Sequence, residues 1–390
     1  MVIPFNFARI PEIHFGVGKF EMLPKLIKQY GSKVMLVTGK SSFIESERGR
    51  QLLKNLNQEN ISFELVHVYT EPSVAFIDEV CQRFRKNEIY AVVAIGGGSV
   101  IDAGKAISAM LPLNDSVKPY LEGIDSGKTH PGIKLPFIAI PTTSGTGSEA
   151  TKNAVISEVG EKGFKKSLRH NNFVPDVALV DPGLTLYCPP EITAFTGLDT
   201  ITQLLEAYIS TQASELTDAI AFSGLQHVAG SIQMAYNNGT NLEARSNMSY
   251  AALLSGIVLA NAGLGTVHGF ASAIGGFFDV PHGVICGTLL GVVNRRNIEK
   301  LIENNNKPML EKYAKVGRLF CNEMGKTDEF YIHSLANALD SFINEFKVPK
   351  FSTYGILQSD VNRILDRTSN KNNPVKFNRE ELQQILISRM

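Results

Sequence analysis

The sequence predicts an α/β N-terminal domain, built on a doubly wound and mostly parallel sheet, followed by an all-α C-terminal domain. Three observations carry this. The chain has 390 residues, more than one hydrophobic core usually serves. Short apolar runs alternate with helical patterns through the first half, the rhythm of a parallel sheet. After Leu184 the strand signals stop and only helical periodicity follows. The boundary falls near Pro182 to Pro190, giving domains at 1–185 and 186–390.

The elements follow in order. "KVMLVTG" (Lys33–Gly39) is apolar and β-branched and ends at glycine, as a buried parallel strand would. Residues 61–69, "ISFELVHVY", follow a helical stretch, and 75–89 read as another helix. "AVVAIGG" (91–97) and "LPFIAIPTT" (135–143) are further buried strands, and "DVALVDPGL" (176–184) is the last. Helical text then covers "PPEITAFTGLDTITQLLEAY", 219–236, 244–263, 308–324 and 329–346, and the tail reads as a polar turn with one final helix.

Composition narrows the function classes. Apolar residues make up 44% and charged ones 19%, which describes a globular protein with ample core rather than a disordered one. Lys plus Arg and Asp plus Glu both total 38, so no positive field exists for general nucleic-acid or anionic-membrane binding. Cys81, Cys188, Cys286 and Cys321 are scattered without CxxC spacing. They read as buried thiols of a reduced cytosolic protein, with neither a disulfide framework nor a Cys-ligated zinc indicated. The opening, "MVIPFNFARIPEIHFGVGKF", lacks a charged region followed by an apolar run, and no segment reaches about 18 uncharged apolar residues. A cytoplasmic protein with no membrane span is expected.

Two glycine-rich turns stand at strand ends, where such sheets bind ligands. The first, "GGGSVIDAGKAISAM", lets the backbone approach a ligand, and the helix opening near Ser99 offers unpaired N–H groups to a phosphate. It is not the dinucleotide fingerprint, because Ile101 stands where the third glycine belongs. Nor is it a P-loop, since five residues separate Gly98 from Gly104 and Ala106 replaces the magnesium-binding hydroxyl. A tight turn without a ligand is the rival reading. The second, "IPTTSGTGSEAT" (140–151), gathers hydroxyls and glycines that can grip a ribose or pyrophosphate. Two such turns in one sheet favour a ligand.

The succession GGGSxxDxxKA, PTTSGTGSE, GxD at a helix head, and "VHGFASAIGGFFDVPHGV" resembles the iron-containing (group III) alcohol dehydrogenase family, collinearly from about Pro11 to about Pro308. The resemblance implies an NAD(P)-dependent oxidoreductase of dehydroquinate synthase-like architecture. A dinucleotide-binding domain and a helical metal and substrate domain would enclose the site in a cleft. It implies cofactor contacts at Gly97, Gly98, Ser99 and Asp102, at Thr142 and Thr143, at Thr151 and Asn153, and at Lys166. It also implies a homodimer acting on a small alcohol or aldehyde. Where NAD-specific relatives carry Asp after the first strand, this chain has Gly39, which leaves room for a 2′-phosphate that Lys40, Ser41 and Ser42 can meet. NADP is therefore favoured over NAD, although Lys40 also reads as a plain loop charge.

The family's metal ligands are the Asp and His of GxDxxxH and two later histidines. Here they map to Asp199, Gln203, His268 and His282, so an amide replaces one imidazole. Asp199 and Gln203 lie one helical turn apart. One carboxylate and two imidazoles suit iron or zinc with an open position. Gln203 can coordinate through oxygen or orient a metal-bound water, and loss of metal stays open, as does a plain polar helix face. His67, His227 and His333 read as ordinary structural histidines. Ser272 replaces a histidine near the nicotinamide and cannot buffer a proton near neutrality. The expected function is metal-assisted hydride transfer between a nicotinamide and a small alcohol or carbonyl, with Asp199, His268 and His282 as catalytic groups. Three rivals are a metal-free reductase acting on an activated keto acid, a cyclising lyase, and a non-catalytic cofactor-binding protein. The lyase needs many cations around its substrate, whereas 197–283 hold only Arg245.

Overall fold

A computed structural model describes residues 2, 4–124 and 127–390. The chain forms two compact units, one of 8–158 with 165–188 and one of 189–390 with 1–7 and 159–164.

The first unit holds strands β1 (Glu12–Phe15), β2 (Lys33–Gly39), β3 (Ser62–Val68), β4 (Ala91–Gly96), β5 (Phe137–Pro141), β6 (Asn153–Glu158), β7 (Phe164–Arg169, whose first residue belongs to the other unit) and β8 (Val177–Val180). Its helices are α1 (Leu23–Lys28), α2 (Glu47–Gln58), α3 (Val74–Phe84) and α4 (Gly98–Met110). Six strands form one parallel sheet in the order β1-β8-β5-β4-β2-β3. Strand β4 lies inside the sheet and is buried at every residue, with Val93 registered between Leu36 of β2 and Ile138 of β5. Such a strand has no polar face to expose, which is why its sequence is apolar without alternation. Ser46 and Ser73 start α2 and α3, their hydroxyls accepting the Gly49 and Phe76 amides at 3.1 and 3.2 Å.

The strand order turns around between β2 and β4. From β2 the chain steps outward to β3, then returns past β2 to lay down β4 and β5 on the other side. At such a reversal the loops leave in opposite directions and open a crevice at the carboxyl ends. The Gly39 turn and the Gly96–Gly98 turn flank it.

The helical unit comprises α5 (Pro190–Tyr208), α6 (Glu215–Val228), α7 (Ser231–Asn237), α8 (Leu242–Ala262), α9 (Thr266–Phe277), α10 (His282–Glu303), α11 (Lys307–Gly317), α12 (Asp328–Glu345), α13 (Val361–Arg367) and α14 (Arg379–Ile387). Helix α5 is its axis, buried from Thr193 to Tyr208 except at Thr196 and packed by α6, α7, α8 and α10. No single described helix is long and apolar enough to cross a membrane.

Several elements differ from the sequence reading. Strand β1 is a four-residue edge strand, too short to show a pattern. Strands β6 and β7 form a separate two-stranded sheet, with Leu168 of β7 also bridging Leu121, and "FKKSLR" is too polar to announce itself. The helix read over 219–236 breaks into α6 and α7, because Gly230 adopts φ of 76°. The helix read to 324 stops at Gly317, and the seven residues of α13 are too few to display a helical period.

Candidate nucleotide and metal sites

In the α/β unit the two glycine-rich turns lie against each other. The Thr142 amide donates to the Gly96 carbonyl at 3.0 Å. A Cβ added to Gly98 would stand 2.8 Å from Cγ2 of Thr146, so close packing of the turns demands glycine there whatever binds above. Gly98 and Ser99 open α4, whose first amides have no helical acceptor and form an anion-binding terminus. Thr142 and Thr143, both partly exposed, follow β5 on the adjoining strand end. Gly39 ends β2, in register beside β4, and a Cβ there would meet nothing within 4 Å, while Ser41 is partly exposed in the loop that follows. Gly39, Gly97, Gly98, Ser99, Thr142 and Thr143 are thus brought to one edge of the sheet.

Asp102, Thr151 and Asn153 are engaged otherwise. All three surround Lys105, a fully buried lysine. Its ammonium donates to the Ser148 carbonyl at 2.7 Å and hydroxyl at 3.1 Å, the Thr151 hydroxyl at 2.9 Å and the Asn153 carbonyl at 2.8 Å. Asp102 accepts the Ser148 hydroxyl. Burial pushes Lys105 down to about 8 against the pull of Asp102 and Glu149. Burial raises Asp102 too, and it lifts the nearby Glu149 carboxyl to about 7. This network ties α4 to the second turn and so fixes the geometry of both. Lys166 is exposed on β7, while its neighbour Lys165 pairs with Glu71.

In the helical unit a polar stripe runs down the otherwise apolar α5. Asp199, Gln203 and Glu206 stand at i, i+4 and i+7, hence on one face, and all are at most 3% exposed. Opposite them, α9 supplies His268 in its first turn and α10 begins with His282. A Cβ on Gly283 would fall 2.3 Å from the Phe195 carbonyl oxygen, so glycine is what allows the start of α10 to close on α5.

Asp199 Oδ1 lies 3.2 Å from His268 Nε2 and 3.6 Å from His282 Nε2. Burial raises the Asp199 carboxyl, but His282 and His268 outweigh it and hold it at about 2. Burial pushes His268 down, while Cys286, Asp199 and Glu206 carry it well above the ordinary imidazole range. Among the described residues no lysine or arginine pairs with Asp199; only the two imidazoles do.

Three partners escaped the sequence reading. Glu206 accepts the His268 Nδ1–H at 2.7 Å through one oxygen and the Val267 amide, at the head of α9, at 2.7 Å through the other. It thereby fixes the His268 ring and turns Nε2 toward Asp199. Its signal was legible as the third member of the stripe Asp199-x3-Gln203-x2-Glu206. Ser255 donates to the Gln203 Oε1 at 2.8 Å, while Gln203 Nε2 donates to Asp199 Oδ2 at 3.2 Å. The amide therefore turns its N–H, not its oxygen, to the carboxylate, as two facing oxygens would repel. The third partner is Cys286, one turn beyond His282 on α10, whose sulfur lies 3.8 Å from His268 Nε2 and 3.7 Å from His282 Nε2. The expectation that every cysteine stands apart from a metal cluster is corrected here, since it rested on spacing between cysteines and missed the His282-x3-Cys286 spacing. Ser272 is exposed on α9.

One ligand atom from each of Asp199, His268, His282 and Cys286 lies within 4.8 Å of all the others. A buried carboxylate ringed by converging lone pairs, with imidazole protons as its nearest positive charge, is a donor set that fits a divalent transition ion.

Comparison with known proteins identifies the family. Residues 11–182 match the iron-containing alcohol dehydrogenase family, and 193–390 match the C-terminal region of the Fe-containing alcohol dehydrogenase family. An NADPH-dependent butanol dehydrogenase of Clostridium saccharobutylicum is 32% identical over 386 residues, spanning 96% of this chain and 95% of that protein. A solved 1,3-propanediol oxidoreductase superposes with a TM-score of 0.88 at 29% identity over the whole of both chains. An iron-containing alcohol dehydrogenase of Thermotoga maritima superposes at 0.81 with 26% identity over 99% of each. With both halves matched and a relative of that identity running almost end to end, the chain belongs to the iron-containing alcohol dehydrogenase family and is an oxidoreductase of the alcohol dehydrogenase type.

Proposed function

We propose that the chain catalyses reversible hydride transfer between NADP(H) and a small alcohol–aldehyde or alcohol–ketone pair, with a divalent ion held by Asp199, His268 and His282. The observation that carries this is the buried Asp199 carboxylate, approached by two imidazole nitrogens and, among the described residues, by no lysine or arginine. Asp199, His268 and His282 would hold the ion, which would supply Lewis acidity to a substrate oxygen, and a nicotinamide held at the glycine turns would supply the hydride acceptor or donor.

The chain's own residues prepare that chemistry. Asp199 supplies the negative charge, Glu206 keeps the His268 ring aligned, and Gln203 restrains the second oxygen of Asp199. The amides opening α4 receive the pyrophosphate, and Thr142 and Thr143 flank them. The open space above Gly39 supports NADP, since glycine rather than an acid ends β2 and leaves room for a 2′-phosphate. Asp102, Thr151, Asn153 and Lys166 complete the cofactor contacts in this reading, the first three through the frame around Lys105. The four free thiols suit a reducing compartment, in keeping with a cytoplasmic homodimer.

Elemental analysis of protein purified without added metal, with NADPH and NADH rates on short aldehydes, tests the whole reading. Stoichiometric divalent ion and faster turnover with NADPH are expected, and Gly39→Asp should shift the preference toward NADH by about tenfold or more. Full activity after exhaustive chelation would overturn the metal assignment and favour the metal-free reductase.

A further inference from the structure

We propose that Cys286, as its thiolate, is a fourth protein ligand of the ion, so that a carboxylate, two imidazoles and one sulfur hold it and zinc is its natural occupant. The inference rests on the assignment of Asp199, His268 and His282 and adds to it; with four protein ligands in place, the substrate oxygen would enter as a fifth, a coordination number that zinc reaches in catalytic sites.

The distances carry the argument. A tetrahedral zinc with Zn–N and Zn–O bonds of about 2.0–2.2 Å and a Zn–S bond of about 2.3 Å has ligand-to-ligand edges of about 3.3–3.7 Å. The edges from Asp199 Oδ1 to the two imidazole nitrogens are 3.2 and 3.6 Å, and those from the Cys286 sulfur to the same nitrogens are 3.8 and 3.7 Å. The two remaining edges stay within 4.8 Å. The sulfur thus stands at nearly equal distances from both imidazole nitrogens, where a thiol can hydrogen-bond to only one of them at a time and an ion can engage all three atoms.

Sequence and packing explain how the fourth corner is filled. His282 and Cys286 share one face of α10, one turn apart, as Asp199 and Gln203 share one face of α5. The Gln203 oxygen already accepts the Ser255 hydroxyl and its N–H groups face Asp199, so the amide is committed. The donor missing from α5 is thus supplied by α10. Carboxylate and thiolate together match the two positive charges of the ion, and binding expels the thiol proton. A sulfur donor also moves the preference from iron(II) and harder ions toward zinc.

The full chain, purified under reducing conditions and stripped of metal, is titrated with cobalt(II), with His268→Ala, Cys286→Ser and Cys286→Ala alongside and NADPH binding as the check on folding. The wild type should show cobalt ligand-field bands in the visible together with a sulfur-to-cobalt charge-transfer band in the near ultraviolet. Both Cys286 variants should keep the former and lose the latter. Their zinc affinity should fall by more than the roughly 10–100-fold typical of a group that only orients a ligand. Ligand-field bands without the sulfur band in the wild type would overturn the assignment while leaving Asp199, His268 and His282 intact. Cobalt bands that survive His268→Ala unchanged would overturn the underlying metal site itself. The wild-type spectrum decides the question even if both Cys286 variants misfold.

Discussion

Both units bury a cluster of ionisable groups, and they neutralise it in opposite ways. In the α/β unit the carboxylates of Asp102 and Glu149 share a core with Lys105, whose ammonium makes bonds to two carbonyls and two hydroxyls. That cluster carries its own cation and is complete. In the helical unit Asp199 is equally buried, yet its neighbours are imidazoles, an amide and a thiol, groups other than the amide that donate lone pairs once deprotonated. That cluster is finished only by a positive charge from outside, a proton or a metal. The difference separates a structural polar core from a binding site, although the two are alike in burial and in perturbed titration. Burying a charge costs several kcal/mol unless it is matched, so the kind of cation available decides the role.

The contrast breaks most visibly at its metal-dependent side. His268→Ala should leave the fold intact and abolish retention of divalent ion. Turnover should fall by at least about 1,000-fold, since the Lewis acid supplies several kcal/mol to the transition state at about 1.4 kcal/mol per decade. Metal content, steady-state rates and NADPH binding, measured together, check this; unchanged activity would remove the helical cluster from catalysis. Lys105→Met tests the complete side. Loss of the internal cation leaves buried acids unmatched, and denaturant unfolding should show a loss of about 3–5 kcal/mol. That loss should be the same with and without chelator. A chelator-dependent loss would erase the distinction between the two clusters.

A finer cut lies within the helical cluster. Glu206→Gln keeps a hydrogen-bond acceptor for one of its two partners but removes the charge behind His268. Metal affinity should drop roughly 10–100-fold, the usual effect of losing the group that orients a ligating imidazole. A competition titration against a chromophoric chelator reads this directly. An effect on thermal stability alone, with affinity unchanged, would make Glu206 a helix cap and nothing more.

How much was legible in the sequence follows from where each partner resides. Asp199, His268 and His282 stood out because they fall on the metal-ligand positions of the family that the sequence resembles, and His268 also lies in a small-residue stretch, where backbones close in. Gly283 against the Phe195 carbonyl is such a place. The buried strands were legible because full burial leaves a continuous apolar run, as in β4. Cys286 and Lys105 were not, since their significance comes from side chains on other elements and neither stands in a motif of its own kind. The β6–β7 pair stayed hidden because β7 is too polar to carry an apolar rhythm and β6 is short. Lys105 lies within the very turn-and-helix segment read for phosphate binding, and only the folded chain reveals that it serves the frame instead.

The smallest expected effect concerns pH and the α/β cluster alone. Burial lifts Glu149 from an ordinary 4.5 to about 7 in the folded chain, so the folded state holds a proton there that the unfolded chain releases earlier. Its contribution to stability is therefore fully present below about 4.5 and is lost as pH rises toward 7. The expected loss across that window is about 1–3 kcal/mol. Glu149→Gln keeps the shape and cannot ionise, so its stability should fall less over the same window, by the share that Glu149 contributes. Chemical unfolding of wild type and variant at pH 5 and pH 7, both with chelator present so that the helical cluster contributes equally, isolates the difference. If the two proteins respond identically, Glu149 is ionised in the folded state. Lys105 would then be matched by two charges rather than one, and the α/β cluster would carry an excess negative charge, as the helical cluster does before its cation arrives.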